Sequence, residues 1–286
     1  MEIAEIIVDT VQAVKLPWQE TIVIPTGDVQ YGSEGCDADR FQRTIEWGMK
    51  NNAYFLGMGE YLDIASPSNR RKIQEAGLYD STLDVLEEIV QQKSEDFLKL
   101  AKGSEGRWLG LLEGHHMYEY RDGTTCDTRI AKALNAPFLG SCAFVRLRFG
   151  RNKHSRLTCT IWCHHGQGGG SKVSAPLNKL ENLMPYFDAD IYLIGHQHKK
   201  VGAPVDQLYM TKKRPYDIKH RTKLLACTGG YLKGYWRNSM VGGGHFPRGN
   251  YVERAMHTPV ALGCPILYVR PVHTEHEDRL DLNISL

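Results

Sequence analysis

The chain has 286 residues, 42% apolar, 24% charged and 9% aromatic, with a formal net charge of +2. Such values support a buried core in one large domain or two small ones, and exclude a disordered chain. No apolar run approaches the roughly 18 residues that cross a bilayer, which excludes a helical membrane protein. The acidic start at Glu2 and Glu5 is the wrong charge for a secretory leader. Seven cysteines, odd in number and without a C-x-x-C pair, read as reduced thiols. The expected compartment is the cytoplasm, or its equivalent inside a host cell.

In chain order, residues 21–25 (TIVIP) form a buried strand that ends at Gly27-Asp28. From Asp39 a helix places Phe41, Ile45, Gly48 and Met49 on one face. Residues 53–58 form the next strand, which ends at Gly59-Glu60. A long helical pattern runs over 81–102, with Leu83, Leu86, Val90, Phe97 and Leu100 apolar and Gly103 beyond it as a stop. Residues 107–112 are a strand ending in Glu113-Gly114-His115-His116. Residues 157–163 are another, ending in His164-His165-Gly166. Leu177, Leu180 and Leu183 lie along a short helix opened by Pro176. Residues 190–194 form a strand ending in Gly195-His196-Gln197-His198. The last third, including 224–228 and 265–269, is β-rich and punctuated by glycine. The absence of repeats and linkers favours one domain over 1–286, with a helical excursion near 65–105.

Five of these strands end in residues that bind a metal or a proton. In α/β architectures ligands collect where loops leave the carboxyl ends of strands. His196 and His198, two apart after an apolar strand, can face one point once the chain turns. Adjacent pairs cannot both point one way from an extended chain, so one each of His115/His116 and His164/His165 belongs inside the site. Asp28 alone also reads as a turn aspartate. Glu60 and Asp63 equally read as acids complementing a helix dipole. The run 166–172 (GQGGGSK) is not a phosphate loop, because Ser171 and Val173 flank Lys172, nor is it G-x-G-x-x-G. It reads as flexible backbone near the site, with N–H groups for an anion. Cys159 and Cys163 share a strand face and read as buried thiols.

Taken in order, these pieces resemble the calcineurin-like metallophosphoesterases, a family that includes bacterial and phage members and double-strand-break repair nucleases. The family pattern is D-x-H, G-D-x-x-D, G-N-H-[D/E], a lone His after a strand, and G-H-x-H. Here the matching positions are Asp28-Val29-Gln30, Gly59 to Asp63, Gly114-His115-His116-Met117, His164 and Gly195-His196-Gln197-His198. The resemblance covers about residues 20–200. Thr228-Gly229-Gly230 and Leu262 to Pro265 look similar to the closing β region of phage-type members.

The resemblance implies a two-sheet α/β sandwich flanked by helices and a binuclear metal centre. Asp28, Gln30, Glu60 and His198 would surround the first ion, and Glu60, His115, His164 and His196 the second, with Glu60 bridging. His116 matches the catalytic histidine. Mixed N/O donors without thiolate suit Mn²⁺, Fe or Zn²⁺ better than Ca²⁺. The expected activity is hydrolysis of a phosphodiester or phosphomonoester; the alternative is a scaffold of the same fold. Three positions depart from the family: Gln30 replaces His, Glu60 replaces Asp and His115 replaces Asn. They predict a weaker first site and a tighter second one.

Between Lys199 and Lys223 stand eight Lys/Arg against Asp206 and Asp217. This stretch, with Lys212, Lys213 and Arg214 at its centre, is a candidate nucleic-acid face. A solvated hairpin with positive decoration is the plain alternative. The partner expected is a phosphoester substrate, which would be nucleic acid under a nuclease reading and a small ester otherwise, with no membrane.

Overall fold

The computed structural model describes residues 11–151, 156–211, 216–236, 239, 249–275 and 277–286. Its elements are β1 (Val11–Pro17), β2 (Thr21–Thr26), α1 (Ala38–Lys50), β3 (Tyr54–Gly57), α2 (Pro67–Glu75), α3 (Asp80–Leu100), β4 (Trp108–Leu111), α4 (Cys126–Ala133), β5 (Cys142–Gly150) and β6 (Arg156–His164). These continue with α5 (Ala175–Leu183), β7 (Ile191–Ile194), β8 (Lys200–Met210), β9 (Ile218–Thr228), α6 (Tyr251–Arg254), β10 (Ile266–His273) and β11 (Asp278–Ser285). Two sheets result, one ordered β1-β5-β6-β7-β9-β8 and the other β11-β10-β2-β3-β4. The expected two-sheet α/β sandwich flanked by helices is the architecture observed.

Strands β2, β3, β4 and β7 read as nearly unbroken apolar runs because helices or the opposing sheet cover both faces of them. Between the sheets lie Val23, Leu56, Leu109 and Leu267 from one, and Val145, Leu147, Ile161, Cys163 and Leu193 from the other. Successive side chains point to opposite faces, so their neighbours Ile24 and Phe55 meet Phe41, Ile45, Phe97 and Ile130 of α1, α3 and α4. Trp162, Tyr192 and Leu225 meet Leu180 of α5 on the far side. Each fully buried Phe or Leu contributes about 1.5–3 kcal/mol. Cys159 and Cys163 are fully buried free thiols.

The helical excursion near 65–105 is the pair α2 and α3. Pro67 opens α2, and Ser66 caps it by accepting from Asn69 N. Strands β2, β3 and β4 are mutually parallel, as are β6, β7 and β9. Their carboxyl ends deliver Asp28, Glu60, the 113–116 loop, His165 and the 195–198 turn to one side of the sandwich. Among the described residues, no helix is long and apolar enough to cross a membrane.

Candidate metal centre

Glu60, His115, His165 and His196 converge, with one donor atom from each lying within 4.8 Å of the others. The three imidazoles stand edge to face, His115 being 4.6 Å from His165 and 4.8 Å from His196 between ring centres. Two glycines let the Glu60 backbone and the His165 ring approach their neighbours. A Cβ at Gly114 would collide with the backbone nitrogen of Glu60, and one at Gly59 (φ +93) would lie 2.6 Å from His165 Nδ1.

Glu60 is 2% exposed. It accepts from His115 N at 2.9 Å and His116 N at 3.1 Å, and His165 Nε2 lies 3.2 Å away. Burial alone would raise its pKa, but His165, His116 and the amide of His115 outweigh burial and hold it at about 2. His165 Nδ1 lies 2.7 Å from the carbonyl of Met58. A carbonyl only accepts, so Nδ1 carries the proton and Nε2 faces the cluster, the arrangement a metal-ligating histidine adopts. Burial opposes protonation of His165, yet the nearby Glu60 and Asp28 carboxylates raise its pKa to about 9. His196 is lowered to about 4, by burial first and then by His165 and His115, so its ring is neutral at pH 7.

A second group adjoins the first. Asp28 is fully buried and its Oδ2 accepts from His196 N at 2.9 Å. Oδ1 has no hydrogen-bond partner, and His198 Nε2 lies 3.6 Å away. Gln30 is 7% exposed, with its amide nitrogen 3.4 Å from His198 Nε2. A buried carboxylate oxygen without a donor is costly, and a cation relieves it. Burial raises the Asp28 pKa, and Glu60 adds to the rise.

Asp28, Gln30, Glu60, His196 and His198 have φ of 49, 50, 55, 65 and 55°, and are five of the nine non-glycine residues with positive φ among those described. Such backbone costs about 1–3 kcal/mol per residue and persists where the surroundings over-determine it, typically at functional sites. Glu60, His115, His165 and His196 could hold a metal ion, and the unpartnered Asp28 oxygen beside them suits a neighbouring cation. Gln30 offers a neutral amide where an imidazole or carboxylate would bind harder. Gln30→His is accordingly expected to raise cation affinity at the Asp28 position at least about tenfold, as read by calorimetric titration. Equal affinity at two sites in the unaltered protein would defeat the argument.

His116 Nδ1 pairs with Asp63 Oδ1 at 2.9 Å. That bond raises the His116 pKa. The pairing gives Asp63, a motif position to which the sequence assigned no role, a partner in His116.

The strand-end histidine in the cluster is His165, where the sequence pattern pointed to His164. His164 Nδ1 accepts from Gly166 N at 2.7 Å, and its ring lies 6.0 Å from that of Trp162. The reason is strand parity. Ile161 and Cys163 face the space between the sheets while Trp162 faces outward, so His164 follows Trp162 and His165 follows Cys163.

In the basic stretch, Lys212, Lys213 and Arg214 lie outside the described residues. Lys199 is buried and donates to the carbonyls of Gly170 and Lys172 in the glycine-rich run. Lys219 pairs with Glu277 at 2.7 Å and Arg221 with Asp188 at 2.9 Å. Lys223 is buried against the Tyr192 hydroxyl. These four cations are engaged within the chain.

The chain is similar to vacuolar protein sorting 29 from Cryptosporidium parvum (TM-score 0.34, 12% identity, 93% of this chain and 98% of that one). It is similar also to the zinc-complexed protein of that name from Entamoeba histolytica (0.34, 11%, 92% and 99%). A conserved uncharacterized protein from Streptococcus pneumoniae, described as a predicted phosphoesterase, matches at 0.28 with 10% identity over 93% of this chain and 88% of that one. No family model matches the chain, and no curated protein does. At such low scores the reading of the site rests on its own residues.

Proposed function

We propose that this chain is a metal-dependent phosphoester hydrolase. The observation that carries the reading is one constellation: the Glu60, His115, His165 and His196 donors, the adjoining Asp28, Gln30 and His198, and the His116–Asp63 pair beside them. The motif order read from the sequence supports it. Two divalent ions, Mn²⁺ first among the choices, would supply Lewis acidity toward phosphoryl oxygens and a lowered pKa for a water. Glu60, Asp28 and the imidazoles would hold them, His165 giving up its Nε2 proton to do so. Asp63 accepts from His116 Nδ1 and thereby orients the ring, whose Nε2 can donate to a departing alkoxide. Substrates with poor leaving groups depend most on that proton.

The test removes bound metal with a chelator and restores Mn²⁺, Fe²⁺ or Zn²⁺ separately. Turnover of chromogenic diesters and monoesters should vanish and return. His116→Ala should lower kcat by about 10²-fold on an alkyl leaving group and less on nitrophenolate. Stoichiometric metal without turnover of any ester would overturn the proposal and favour the scaffold reading.

A further inference from the structure

The loop bearing His115 and His116 has its backbone polar groups held from several sides. Gly114 N donates to the buried Asp127 at 2.8 Å, while His115 N and His116 N donate to Glu60. The carbonyl of His116 accepts from Ile64 N at 3.2 Å and Ala65 N at 3.3 Å. The carbonyls of His115 and Met117 accept from one atom, Nη1 of Arg70, at 3.1 Å for Met117. The same nitrogen donates to Ala65 O at 3.1 Å. Arg70 therefore ties the 115–117 loop to the segment following Asp63, the partner of His116.

Arg70 is half-buried and belongs to α2, in the helical excursion outside the sandwich. A charged donor makes hydrogen bonds roughly twice as strong as a neutral one. By fixing the carbonyls on both sides of His116, the guanidinium sets the peptide planes from which both imidazoles project. We propose that Arg70 is a positioning residue that holds His115 against the donor cluster and His116 against Asp63. Its catalytic consequence rests on the phosphoesterase reading; its effect on the two rings does not. Misplacement of a reacting group by about 1 Å can cost about 10²-fold in rate.

The test compares the full chain with Arg70→Ala and Arg70→Lys. In metal-free protein, the ring resonances of His115 and His116 should shift or double in R70A while those of the exposed His257 and His273, paired with Tyr251 and Asp278, stay in place. In metal-loaded protein, R70A should lower kcat on a chromogenic diester by about 30- to 100-fold with KM little changed. R70K, which must bring its one nitrogen to the same carbonyls on a shorter side chain, should fall between. Unchanged ring signals would overturn the proposal, as would a rise in KM alone, which would mean that Arg70 grips substrate. If R70A does not fold, R70K decides, and R70K identical to the unaltered chain in ring signals and kcat overturns it. If the unaltered protein shows no turnover, the hydrolase reading falls and the ring signals alone judge Arg70.

Discussion

Glu60→Gln is expected to lower diester turnover by about 10³-fold and to reduce the bound metal to at most one ion. The carboxylate accepts from two backbone amides and faces His165, and it is charged at any working pH because its pKa is about 2. Glutamine keeps the shape but removes the charge, and its NH₂ group meets an amide donor instead of accepting from it. One unsatisfied donor costs about 1–3 kcal/mol of stability. The functional loss is larger. A metal clamp stabilises a phosphoryl transition state by several kcal/mol, and each 1.36 kcal/mol is a factor of about ten in rate. Metal analysis after gel filtration and kcat on a chromogenic diester measure the two effects. Two retained ions with an unaltered rate would remove Glu60 from the centre of the site.

His165→Ala and His164→Ala should separate cleanly, although the residues are neighbours. His165 is 1% exposed, its Nδ1 is committed to Met58, and its Nε2 faces the other three donors. Loss of groups that merely orient ligands costs about 10- to 100-fold in metal affinity, so loss of a ligand should cost more than about 100-fold. His164 receives the Gly166 amide and leans toward Trp162, so its replacement should leave the ion in place. Competition against a chelating dye measures both. Metal lost from His164→Ala and kept by His165→Ala would return the assignment to the one the motif order suggested.

That contrast shows where local pattern stops being informative. The runs at 21–25, 53–58, 107–112, 157–163 and 190–194 were legible as strands, because burial on both faces leaves few polar positions in them, chiefly at their starts and at Thr158 and Thr160. The chelating residues at their ends were legible for the same reason, since polar side chains begin where the sheet stops. The choice between His164 and His165 needed only the alternation of Ile161, Trp162 and Cys163, once one knew which face the second sheet covers. Strand β5 alternates apolar and polar residues over Cys142–Gly150 but carries no chelating terminus, and it escaped a reading led by strand ends.

By itself, then, the sequence determined the layered α/β class, the run of strands that carry the site and the chemistry of its donors. Each of these depends on residue types within a few positions of one another. Only the tertiary structure decided which donors meet, that Asp63 orients His116, that Arg70 reaches across from α2, and that Lys219 and Arg221 pair with Glu277 and Asp188. Those contacts join residues far apart in the chain, and their geometry follows from how two sheets and their covering helices pack.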